Sequence, residues 1–118
     1  MKRLKFTEQW DKLADPRFTT IRSYRPQKAR YYAASIGEEF TLIKVRDPMD
    51  TRGPKIGSAT LRTVRIVRPY DLPAIDLARD VQLGGKPSGE WLQKLLAMDK
   101  ALLLEFENHT GILRGAPA

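Results

Sequence analysis

Residues 15–22 read DPRFTTIR, a proline break followed at once by a strand signal. Proline at 16 lacks a backbone donor and biases Asp15 away from helical geometry, so a preceding helix stops here. The β-branched and aromatic residues that follow suit a strand, with Thr19 and Ile21 pointing one way and Phe18, Thr20 and Arg22 the other. Upstream, Phe6 to Ala14 has the spacing of a short helix. Thr7 can cap it, Glu8 sits in the first turn, and Trp10, Leu13 and Ala14 recur three and four residues apart.

Downstream, residues 23–35 break pattern. Pro26 and scattered charges argue against a central strand and predict a long basic loop or an edge segment. EFTLIKVR (39–46) is a strand candidate, DPMDTRGPK (47–55) a turn-rich connection, and IGSATLRTVRIVRP (56–69) the longest strand signal. Strict alternation there puts Arg62 and Arg68 on one face and Arg65 on the other. LPAIDLARDVQ (72–82) reads as a short helix and GGKPSG (84–89) as a loop. Ser88 can then cap a helix with Trp91, Leu92, Leu95 and Leu96 on one side. KALLLEFEN (100–108) closes as a buried strand, and Gly111 onward as a frayed tail. Helix, strands, two helices and a last strand predict an α+β domain: a small mixed, mostly antiparallel barrel over residues 1–110, with 111–118 as a flexible tail.

The chain has 118 residues, enough for one domain with its own core, and 42% of them are apolar, which fits a globular protein. It has no cysteine, which excludes disulfides, thiolate zinc sites and cysteine nucleophiles. No stretch has the length and apolarity of a membrane span, and MKRLKFTEQW has no apolar run behind its basic start; a soluble, cytoplasmic protein is expected. The net charge of +7 is uneven: residues 1–68 hold sixteen Lys/Arg against seven Asp/Glu, and residues 69–118 hold five against seven. Such asymmetry favours a polyanionic partner, a solvated basic face being the alternative.

The charge concentrates in DPRFTTIRSYRPQKARYY (15–32), which holds five basic residues and four aromatics. On a strand, Thr20 and Arg22 share a face about 7 Å apart, suited to two contacts with one nucleotide; a structural Thr beside an ion-paired arginine is the other reading. Tyr24, Arg25, Lys28, Arg30, Tyr31 and Tyr32 could supply stacking planes and phosphate contacts, or the tyrosines could anchor the loop to the core. Trp10 and Trp91 read as core. His109, the single histidine, has no second ligand at helical spacing, so no metal site is expected there. There is no P-loop and no dinucleotide fingerprint.

DPRFTTIR and the element order resemble the ASCH family of the PUA-like superfamily. Its motif has the form Gly-x-Lys-x-x-Thr-x-Arg. Thr20 and Arg22 match it, Asp15 stands at the glycine and Arg17 at the lysine, and Gly37-Glu38 resembles the family's Gly-Asp turn. The resemblance implies a pseudo-barrel whose cleft is lined by the motif residues and binds RNA or nucleotides. Some small members are hydrolases acting on a modified cytidine or on RNA, with the motif lysine and threonine and a later acid regarded as catalytic. An arginine essentially never gives up its proton, so Arg17 at the lysine position favours binding over chemistry, as a clamp for phosphate or an oxyanion.

The first expectation is therefore a module for RNA or single-stranded nucleic acid, using Arg17, Thr20, Arg22, Tyr24, Arg25, Lys28 and Arg30, with no cofactor. The alternative is a hydrolase of a modified nucleoside or of RNA. Thr20 and Arg17 would be catalytic there with Asp80 or Asp76, the acid serving as acid/base or, if it is a nuclease, helping to hold a divalent metal. A protein partner for the basic face is the third.

Overall fold

The computed structural model describes residues 2–109. Its main sheet joins β1 (Lys2–Phe6), β2 (Arg17–Ser23), β3 (Glu39–Lys44), β4 (Lys55–Val67) and β7 (Ala101–Asn108), and a hairpin is made by β5 (Gln82–Leu83) and β6 (Lys86–Pro87). The helices are α1 (Pro26–Ala34), α2 (Ala74–Asp80) and α3 (Gly89–Leu96). The five strands curl into a half-barrel in the order β1-β3-β4-β7-β2. β1 runs parallel to β3, and the other pairings in that sheet are antiparallel. The α+β expectation thus holds at this level. The expected tail at 111–118 lies outside the described residues.

Aliphatic and aromatic side chains alternate inward along the strands. Phe18, Phe40, Leu42, Leu61, Leu102, Leu104 and Phe106 are buried in one core. Phe106 lies at its centre, stacked on Phe18 at 5.3 Å and edge-on to Phe40 at 5.5 Å between ring centroids.

Three local expectations are corrected. No helix spans Phe6–Ala14. Leu4 and Phe6 are buried two residues apart and β1 pairs with β3, so the helical spacing of Trp10, Leu13 and Ala14 yields only a 3₁₀ turn at Asp11–Ala14. Residues 23–35 are not a loop, because Pro26 starts α1 instead of breaking a strand. Its fixed φ and missing donor suit the first helical position, and Arg25 before it is extended. The strict alternation expected along β4 also fails. A bulge between Leu61 and Thr63 resets the parity, Arg62 pairs with Glu107, and the strand ends at Val67, before Arg68.

Two side chains fix the 3₁₀ turn over the open side of the half-barrel. The buried Asn108 amide donates to the Leu13 carbonyl at 2.7 Å and the Asp15 carbonyl at 2.8 Å. The Asp11 carboxylate accepts from the Gly84 and Gly85 backbone N–H groups at 3.0 and 2.8 Å, in a turn whose positive φ values require glycine. Ser88 caps α3 as expected, accepting from the Trp91 N–H at 3.4 Å.

Candidate nucleotide-binding cleft

β1 and β2 are the two ends of the strand order, and both line one cleft with a cavity of about 340 Å³. β1 contributes Lys5 and Phe6, and β2 contributes Thr20, Ile21, Arg22 and Ser23. The 3₁₀ turn adds Lys12, α1 adds Lys28, α2 adds Asp80, and α3 adds Trp91, Lys94 and Leu95. The cleft therefore sits where the half-barrel stays open, and every flanking element supplies chemistry to it.

At its floor Lys12 Nζ donates to Asp80 Oδ1 at 2.8 Å, with side chains 3% and 5% exposed. Burial pushes the Lys12 ammonium below the ordinary lysine range, the charge and hydrogen bond of Asp80 pull it back, and nearby Arg22 lowers it further. Thr20 is buried, and its Oγ1 accepts from Arg22 Nε at 3.1 Å. The Arg22 guanidinium lies 4.9 Å from the centroid of the Phe6 ring, over whose face Lys12 Nζ also sits at 5.8 Å. Desolvation lowers the Arg22 pKa, although a guanidinium remains charged at working pH. Trp10 and Trp91 meet edge to face at 5.6 Å, and Lys94 Nζ sits 4.3 Å above the Trp91 ring. Tyr32, half-buried and near Arg22, has its phenol pKa raised, chiefly by burial.

Of the residues expected at a site, Thr20, Arg22, Lys28 and Asp80 come together in this cleft. Arg17 does not join them. Three residues from Thr20 on an alternating strand, it faces the other side of the sheet, in a groove with Arg65, Asp76, Arg79 and Glu105. This separates the two candidate acids, leaving Asp80 in the cleft and Asp76 outside it. Tyr24 packs against the core with Lys100 Nζ 4.1 Å above its ring. Arg25 and Arg30 are exposed, just before and on α1. Tyr31 carries Lys2 over its ring, and Tyr32 stacks on Phe40. His109 Nε2 lies 2.8 Å from Thr60 Oγ1, and among the described residues no group of three or more His, Cys, Asp or Glu could hold a metal.

Sequence reasoning missed Lys12 and Lys5, and it placed Trp10 and Trp91 in the core without seeing that both also wall the cleft. No helix of the described residues is long and apolar enough to cross a membrane. No protein-family model, curated protein or solved structure matches the chain.

Proposed function

We propose that this chain is a PUA-like, ASCH-type module that binds RNA or another single-stranded nucleic acid by taking one unpaired nucleotide into the cleft. One observation carries this reading. Lys5, Lys12, Arg22, Lys28 and Lys94 line a cavity of about 340 Å³ together with Phe6, Trp10 and Trp91, and the one acid among its lining residues, Asp80, is already bonded to Lys12. A cavity of that size is in the range of small-molecule sites. Unpaired bases are read by stacking on aromatic faces and by hydrogen bonds to their edges, while cations hold the backbone. Thr20, Arg22 and Lys28 are the expected binding residues that meet there; Arg25 and Arg30 extend the basic surface along α1.

The reading predicts that Arg22→Ala weakens binding of a short single-stranded RNA by about tenfold or more, as expected for losing a charge-assisted contact. The slope of log affinity against log salt should also fall by about 0.7, the single-strand value per neutralised phosphate. Fluorescence anisotropy between 50 and 200 mM salt measures both. A flat salt response in the native protein would sink the reading.

A hydrolase acting on a modified nucleoside or on RNA is the second reading, and the Lys12–Asp80 pair, which lines the same cleft as Thr20, favours it. An arginine at position 17 cannot serve as a base, but a lysine whose proton is loosened by burial can. In this scheme neutral Lys12, held by Asp80, takes the Thr20 proton as Oγ1 attacks an acyl or phosphoryl centre, and Arg22 stabilises the developing oxyanion. The bond to the leaving amine or alkoxide breaks as Lys12 returns the proton to it. Water then cleaves the Thr20 ester to release the acid and restore the hydroxyl. Thr20→Ala and Asp80→Asn should each abolish turnover of a labelled RNA or an acylated nucleoside, as read by product chromatography. Turnover surviving both substitutions rules this mechanism out.

A further inference from the structure

We infer that the mouth of the cleft is a phosphate site formed by Lys5, Arg22 and Lys28 with Arg25 beside them, so that the ligand is a phosphorylated nucleotide rather than a free nucleoside. The inference rests on the nucleotide reading above and names the substrate class of that same site. Lys5 comes from β1, Arg22 from β2 and Lys28 from α1, and all three line one cavity although they stand on three different elements. Arg25 stands at the position just before α1, three residues ahead of Lys28 and with no capping bond from its side chain.

These charges crowd one another. The Lys28 ammonium has its proton affinity lowered, first by partial burial and then by Arg25, Arg22 and Lys5 in turn. Asp80 offsets only Arg22, and in part; none of the ion pairs among the described residues involves Lys5, Arg22, Arg25 or Lys28. Asp80, the acid lining the cleft, is committed to Lys12. Like charges held together with so little counter-charge raise the energy of the folded chain, and an anion placed among them relieves it.

Donors also remain to bind one. Lys5 Nζ gives two hydrogens to the Pro48 and Asp50 carbonyls, at 2.7 and 2.9 Å, and an ammonium has three. Arg22 uses Nε on Thr20 and keeps its two terminal amino groups, the fork that matches phosphate oxygens. Phe6, Trp10 and Trp91 form the apolar walls against which the base would lie. A nucleoside would fill the walls and leave the cations at the mouth unmatched.

Isothermal titration of the full chain with the four common ribonucleosides and their 5′- and 3′-monophosphates tests this, in the native protein and in Lys28→Gln. At least one monophosphate series should bind about tenfold tighter than the nucleosides, and Lys28→Gln should narrow that ratio several-fold. Equal affinity for nucleosides and monophosphates overturns the phosphate site while leaving the nucleotide cleft standing, and so does an unaltered ratio in Lys28→Gln. If neither class binds, the nucleotide reading falls and the phosphate site falls with it.

Discussion

Asp80→Ala is expected to destabilise the protein by about 3–5 kcal/mol, the range for removing one partner of a buried ion pair. The Lys12–Asp80 contact is 2.8 Å long between side chains that are 3% and 5% exposed. The substitution removes the only carboxylate among the described residues that line the cleft and leaves an ammonium with Arg22 as its charged neighbour. Urea denaturation measures the loss, and its pH dependence identifies the cause. In the native protein Lys12 binds its proton less tightly than the ordinary lysine value of 10.5 seen in an unfolded chain. Between the two values the unfolded state holds more protons, so the contribution of Lys12 to stability rises with pH through that window. Without Asp80 nothing opposes desolvation, the folded value drops further, and the rise begins at lower pH. A variant as stable as the native protein, or one with the same pH profile, would show that Asp80 is not what holds the Lys12 charge in the folded chain.

The companion double substitution Lys12→Met with Asp80→Leu separates stability from function. Replacing a buried pair with apolar side chains of similar size is often neutral or stabilising, because the desolvation penalty disappears along with the attraction. The double variant should therefore regain most of the stability lost in Asp80→Ala yet still bind nucleotide poorly. That outcome would mean the charged floor is kept for its ligand and not for the fold.

Legibility in the sequence followed how local each cause is. β3, β4, β7, α2 and α3 were readable because their signals are local: alternation, an unbroken aliphatic run, and a serine cap. β1 was hidden because Lys2, Arg3 and Lys5 surround Leu4 and Phe6, and only its pairing with β3 reveals which side is inside. α1 was hidden because it buries no residue fully, leaving no apolar stripe to betray it. At the site, parity along β2 gave Thr20 and Arg22 one face. The same parity, carried back three residues, sets Arg17 on the opposite face and so outside the cleft; for that residue the alternation was a better guide than the motif. Lys12 had no such signal. Its burial depends on Asp80, 68 residues away, and on Asn108, whose amide holds the turn that carries it.

Asn108→Ala is the second large effect expected, about 2–4 kcal/mol. The side chain is fully buried, and its amide donates to the carbonyls of Leu13 and Asp15, so truncation leaves two acceptors without this donor and opens a small void. Asn108→Asp should cost more, since it keeps the shape but sets carboxylate oxygens against two carbonyl oxygens. The two bonds bracket the end of the turn that holds Lys12 over the cleft, which makes Asn108 a positioning residue for the Lys12–Asp80 pair as well as a fastening of the fold. The two roles differ in what they leave behind. Measured at a temperature where Asn108→Ala remains fully folded, a purely structural residue leaves nucleotide affinity at the native value. A positioning residue lowers it several-fold, because displacements of about 1 Å in a binding group are costly. Affinity intact in the folded variant would reduce Asn108 to a staple. A joint loss would tie the far end of β7 to the floor of the cleft.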